Sequence, residues 1–512
     1  MLNRLFGANT HSYLLTFGLC VLALGVPINK IVMSLAMIFL ALNFLLEGEF
    51  KTKWQNLVSN KSFLFVFAFF VLHLVGILWS DNIDYAFHDI RVKIPILVIP
   101  LIIIAKPPKN INHLNAVLIA FIASTLISSL INFMMYQSWI GNHKYDDIRG
   151  LSLFGSHIRY GVIVSMCVAI LISFLRKQKY RWASIILIAW FSFYTMYSQV
   201  LSGVITLITV VSFYGVYLIW QKKRAIAISL VGIMGIAIIS LFIWIFKPMH
   251  IDITNYQALA TETIEGNPYT HEFDKITPET GAPTNIYICN VELDREWPKY
   301  STLHLDSLDL IGQPLRKTLI RYLSTKNLRK DAEGLKHLTK NEIRSIEMGH
   351  ASVIHSGIMA RLYGIKHQLN NANFPNNHSI LERIEYWKAG ISIIKSNWLI
   401  GVGTGDIQDE FNKEYDKVNS LLEIENRHRT HNMYLTVFVT FGAIGLLLFC
   451  LMLFKFATFT IKNHLLIGWF FILISIVSFI PEDSLETQTG VTFFALFYGL
   501  FAVTYQNLRS SH

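Results

Sequence analysis

Charge is scarce in this chain. Only 15% of its 512 residues are Asp, Glu, Lys or Arg, against 53% hydrophobic, and a water-soluble fold of this size needs more charge than that to cover its surface. Cysteine is scarce too. Cys20, Cys167 and Cys450 lie in apolar segments and Cys289 stands without an evident partner, so neither a disulfide framework nor a cysteine-rich metal site follows. No small-residue cleavage signal follows the apolar stretch after Arg4, which reads as a retained first helix. The two halves show no internal repeat, and no cluster of acids lies deep in the apolar blocks. Both absences argue against a transporter, the main rival among functions for a chain of this kind.

What the sequence does have is a series of apolar blocks close to the roughly 20 residues that span a bilayer as a helix. Spans are expected near 8–27, 30–46, 62–79, 90–105, 112–133, 157–175, 182–198, 201–220, 225–246, 432–452, 464–480 and 488–506. The fourth carries Pro95 and Pro100, tolerable where neighbouring helices satisfy the freed carbonyls. Ser198, Gln199, Ser202 and Gly203 mark the reversal between the seventh and eighth. The net charge of +10 does not point to nucleic acid, because basic clusters such as Arg176–Arg181 and Lys222–Arg224 flank spans on one side. That bias predicts cytoplasmic termini and an outside position for the long connection. The expected architecture is an all-α polytopic membrane protein of about twelve helices: a bundle over 1–246, a mainly helical outside domain over 247–431 and closing helices over 432–512.

The outside connection is too long and too polar for a linker. Its first part, to about Pro298, reads as irregular structure rich in turns, and Thr339 with Glu342 forms a capping-box pattern before "EIRSIEMG". In "SILERIEYWKAGISIIKSN", Leu381, Ile384, Trp387, Ile391 and Ile394 recur at helical spacing, with Arg383 one turn before Trp387. Gly401, Gly403 and Gly405 follow in "GVGTGD". They read first as a tight turn, with phosphate binding through backbone N–H groups as the functional alternative. Arg427, His428, Arg429 and His431 then crowd the lip of the tenth span beside Asn432 and Tyr434, more charge than interface anchoring requires. Arg149, His157 and Arg159 before the sixth span, and Glu482, Asp483, Glu486 and Gln488 before the twelfth, face the same side. Pairing of Arg159 with Glu486 is the purely structural expectation for these groups.

The segments "SDNIDYAFHDIRVKIPILVIPLII", "TLIRYLSTKNLRKDAEGLKHLTKNEIRSIEMGHAS", "LERIEYWKAGISIIKSNWLIGVGTGD", "HNMYLTVFVTFGAIG" and "LETQTGVTFF" occur in an order and topology that resembles the O-antigen ligase and O-antigen polymerase superfamily, in a Bacteroidota-type form. The resemblance implies a GT-C-like membrane glycosyltransferase of the bacterial inner membrane, with residues 247–431 in the periplasm. Its implied donor is an undecaprenyl-pyrophosphate-linked glycan, and it implies no cofactor and no metal. The acceptor is another lipid-linked repeat in a polymerase, lipid A–core in a ligase, or a protein hydroxyl in related oligosaccharyltransferases. A flippase or chain-length regulator of the same pathway is an implied partner.

By position, His431 resembles the family's essential histidine and Arg383 its donor-binding loop arginine. The family's further arginine between the seventh and eighth spans is missing from "YSQVLSG", so that either Arg149 or Arg159 substitutes for it or the donor is gripped differently than in the ligases. Residue chemistry then suggests His431 as the base for an acceptor hydroxyl, Glu486 as its steadying carboxylate, and an inverting displacement. Arg383, Arg159, Arg149 and Arg429 are the expected phosphate partners, with His157, Trp387, Gly401, Gly403 and Tyr434 lining the substrate site.

Overall fold

The computed structural model describes residues 8–108, 110–141, 151–256, 258–371 and 375–503, and these are all-α, with only isolated β-bridges. Each predicted span falls on a helix. Among the described residues, seven helices are long and apolar enough to cross a membrane: Lys30–Glu47, Lys61–Trp79, Ile111–Tyr136, His157–Phe174, Leu201–Trp220, Arg224–Phe246 and Met433–Lys462. Thr10–Gly25, Leu466–Ser478 and Gln488–Phe501 are shorter apolar helices. The fourth predicted span belongs to a helix that begins earlier, Ile83–Ala105, and runs unbroken through both prolines.

Two compact units make up the chain. One comprises Met1–Ala227 with Arg383–His512, the other Ile228–Glu382. In the first, small residues let helices approach closely, the packing mode open to helices that have no hydrophobic drive to associate in lipid. A β-carbon on Gly161 would stand 2.8 Å from the Cα of Gly203, and Ser165 and Thr206 share a hydrogen bond of 2.8 Å on the same helix pair. Gln488–Phe501 packs along Ile83–Ala105, where Gly499 admits Pro100 and Ile103. Gln199, with φ of 53°, makes the predicted reversal between Arg181–Ser198 and Leu201–Trp220.

The helix Met433–Lys462 is broken at Gly442, whose φ of 63° suits glycine. The freed backbone groups are not left bare. Residues 398–403 lie alongside and pair main chain to main chain, with Val402 N donating to Val439 O, Gly403 N to Thr440 O and Ala443 N to Trp398 O. The "GVGTGD" segment is thus part of the helix packing, which explains its glycines: a β-carbon on Gly401 would stand 2.4 Å from the Thr440 carbonyl.

In the second unit, Trp297, Leu315, Leu319, Leu323, Leu335 and Ile346 form a dry core under short helices. The capping box at Thr339 and Glu342 forms as expected. Among its described residues, the stretch expected to be irregular contains the short α-helix Asn290–Glu296 and the 3-10 turns Ile253–Tyr256 and Trp297–Lys299. Trp244 on the Arg224–Phe246 helix packs against Tyr363 and lies under the Lys366 ammonium at 4.3 Å.

Candidate functional site

The site is built on the turn before Met433–Lys462. Asn432 caps that helix by accepting from Leu435 N at 3.0 Å, while Thr430 accepts from Asn432 N and shares a hydrogen bond with the Thr436 hydroxyl. His431 sits between these two anchors in the left-handed region, φ 46°, a conformation that a β-carbon disfavours and that such turns hold only when both flanks are fixed. Its side chain is one-third exposed.

The helix Ser379–Ser396 packs on this turn. Its buried face is Tyr386, Ala389, Gly390, Ile393 and Ile394, rotated from the expected one, and Ile391 is exposed. The small pair Ala389 and Gly390 causes the rotation, because a β-carbon on Gly390 would stand 3.0 Å from Thr430 Cγ2. Trp387 Nε1 donates to Thr430 O at 2.9 Å and Tyr386 donates to Asn426 O at 2.8 Å. The Tyr386 ring is 5.6 Å from that of His431, and His428 stands 5.8 Å from His431. Arg383, half-buried, lies three and four residues before Tyr386 and Trp387 and so on the same side of the helix.

From the connection before Gln488–Phe501 come three buried carboxylates. Asp483 faces His431, Oδ1 to Nδ1, at 3.5 Å, and His431 Nδ1 makes no closer hydrogen bond among the described residues. Glu482 accepts from Nε and Nη2 of Arg159 at 3.2 and 2.9 Å. Glu486 accepts from Lys93 at 2.8 Å through one oxygen and from Arg429 at 2.8 Å through the other. Burial pushes the Asp483 carboxyl up, but His431 and Arg429 outweigh it and hold the group below the ordinary range. The same contest at Glu486, with Lys93 and Arg429 as the cations, ends at about 2.

Several expectations change here. Asp483, three residues before Glu486, is the carboxylate at the histidine, because Glu486 is consumed by two cations. Arg159 pairs with Glu482 rather than with Glu486. The N–H groups of Gly401 and Gly403 are already given to Asn397 O and Thr440 O, which leaves neither for a phosphate. Tyr434 packs between helices, its hydroxyl donating to Ile476 O and its ring against Phe449 and Phe479. His157 lines a small cavity with Leu151, Ser152, Tyr160 and Ser198, whose lining includes none of the carboxylates assembled at His431. Arg149 lies outside the described residues.

Lys93 was not foreseen. Its signal was legible, a lysine with an acid four residues earlier inside an otherwise apolar helix, since such charges are expensive in a membrane and mark function or pairing.

Ligand atoms of His431, Glu482 and Asp483 lie within 4.8 Å of one another, a spacing that a divalent cation could bridge. The Arg159 guanidinium already neutralises Glu482, so these residues are accommodated as an ion-pair cluster by the chain itself. What the arrangement offers chemically is an imidazole with a carboxylate behind one nitrogen, flanked by guanidinium groups at the end of a membrane helix.

A search of curated proteins finds no match to the chain. Residues 349–450 match the family model described as O-Antigen ligase, a stretch that contains Arg383, the glycine segment at 401–405, His431 and the broken helix through Gly442. Over that stretch the chain is similar to the O-antigen ligase family, and its apolar helices are those of a multi-pass membrane protein.

Proposed function

We propose that this enzyme transfers a glycan from undecaprenyl pyrophosphate at the outer face of the bacterial inner membrane, and that it is a polymerase of O-antigen or a related surface polysaccharide. The observation that carries the proposal is the Asp483–His431 pair at the lip of a membrane helix, where a lipid headgroup is presented. On this reading both termini lie in the cytoplasm and the 247–431 connection in the periplasm, which the bias of basic residues supports. The bundle is of the GT-C type.

His431 takes the proton of the acceptor hydroxyl through Nε2, and Asp483 orients the ring and stabilises the imidazolium that forms. The acceptor oxygen bonds to the anomeric carbon as the bond from that carbon to the phosphate oxygen breaks. The electron pair leaves on the pyrophosphate, and configuration at the carbon inverts. Arg383 and the remaining Nη1 of Arg159 meet the charge that develops on the leaving group, which is the place where fixed donors contribute most. Arg429 is bound to Glu486 and serves the site by holding its own segment in place.

The test supplies purified protein with a lipid-pyrophosphate-linked repeat unit, without and then with lipid A–core. A ladder built on the carrier lipid alone supports the polymerase. Product only in the presence of lipid A–core makes the enzyme a ligase, and no transfer under either condition overturns the proposal.

A further inference from the structure

Beneath the His431 turn lies a chain of charges that the transfer chemistry does not use. Lys93 is fully buried in the helix Ile83–Ala105, and its ammonium donates to Asp89 at 3.0 Å and to Glu486 at 2.8 Å. Glu486 holds Arg429 by its other oxygen. Arg429 is two residues before His431 and Glu486 is three residues after Asp483. The same two segments are therefore joined at two rungs, Arg429 to Glu486 and His431 to Asp483. The first rung is tied to the helix Ile83–Ala105 through Lys93. A small cavity of mixed lining, with His73, Asp89, Arg429 and Glu486 beside Ile407, Met433 and Phe441, lies beside it.

Burying several charges is a poor route to stability, because apolar residues of similar volume usually serve as well or better. Its attested use is to fix one arrangement among several that packing alone would allow. Here the arrangement fixed is the spacing between the histidine and its carboxylate. We propose that Lys93 is a positioning residue for the transfer reaction, acting through Glu486 to hold the Arg429–His431 segment and Asp483 in register. The proposal rests on the reading of His431 as the reacting base.

The test uses full-length enzyme in detergent or nanodiscs with a lipid-pyrophosphate-linked repeat as donor. Lys93→Met lowers kcat by about tenfold to a hundredfold, the size expected for a misplaced catalytic group, with KM for the donor changed by less than about twofold. It also lowers the thermal midpoint, since Asp89 loses its cation. The charge-balanced double variant Asp89→Leu/Lys93→Met regains the midpoint but stays slow. Recovery of kcat together with the midpoint would show a merely structural lysine and overturn the proposal, as would a kcat within about twofold of wild type in Lys93→Met.

Should the double variant fail to fold, Glu486→Gln, which keeps the side-chain shape, must show the same loss of kcat at unchanged donor KM. His431→Ala is measured alongside. If that variant retains full transfer, the catalytic reading fails on its own account, whatever Lys93 does.

Discussion

Two clusters of charge in the unit formed by Met1–Ala227 and Arg383–His512 differ in a way that separates a joint from a working site. In one, Lys53 and Lys106 meet Glu47 at 3.0 and 3.2 Å, and Lys106 meets Glu49 at 2.5 Å. Lys53 also donates to Phe44 O and lies 4.0 Å from the Phe44 ring. Every ammonium there has carboxylate, carbonyl or ring partners. The other cluster has the same currency of Lys, Arg, Asp and Glu but adds His431, one-third exposed, in a left-handed turn, with Asp483 at the outer limit of a hydrogen bond. Complete pairing marks the joint. A titratable group left partly free at the edge of otherwise complete pairing marks the site.

The widest break in this comparison comes from removing the histidine. His431→Ala lowers kcat for glycan transfer by about a hundredfold to ten-thousandfold, the range general-base catalysis supplies, while the thermal midpoint moves little because the ring ends no complete network. Transfer assays with matched circular dichroism melts check both halves, and an active alanine variant would end the distinction drawn here. Lys53→Met is the converse. Removing one partner of a buried cluster costs about 3–5 kcal/mol, so this variant melts earlier or expresses poorly. The kcat of the folded fraction, normalised by active-site titration, stays at the wild-type value. A selective loss of turnover without loss of stability would show that the first cluster is also part of the machinery.

Much of this was legible in sequence. Apolar block length gave the helices, since a bilayer accepts few other backbone solutions, and the crowding of Arg429 and His431 before Asn432 marked the site because charge at that depth has few innocent explanations. Which carboxylate serves the histidine was not legible. Asp483 and Glu486 are three residues apart, and the short 3-10 turn Ser484–Glu486 between them decides which side chain meets His431 and which meets Lys93. Nor could spacing reveal that the glycines after Trp398 are spent on a break in a helix about forty residues later, because main-chain pairing between distant segments leaves only the glycines themselves as a trace.

Asp483→Asn sharpens the comparison from inside the site. The amide keeps the shape but loses the charge that orients the ring and steadies its protonated form, so kcat falls by about tenfold to a hundredfold with donor KM little changed. Steady-state kinetics with the lipid-linked donor decide the matter. A rise in KM with kcat intact would instead place Asp483 in substrate binding.

The smallest effect is one of acid stability, and its sign follows from Glu486. Burial alone would raise this carboxyl, but Lys93 and Arg429 hold it down to about 2 in the folded protein, against 4.5 as its ordinary value. A carboxylate depressed in the folded state contributes stability that is fully present above its unfolded value and is lost as pH falls towards the folded one. The window therefore runs from about 4.5 down to about 2. Wild-type protein should lose thermal midpoint across the upper part of that window more steeply than Glu486→Gln, in which the charge is already gone. Glu49 in the other cluster is also depressed, chiefly by its hydrogen bond to Lys106, but it is largely exposed, and solvent screens most of what that pairing contributes. Glu49→Gln should leave the acid slope close to wild type. Equal flattening by the two glutamine variants would mean that the clusters carry the same acid lability, and that the difference between them lies in His431 alone.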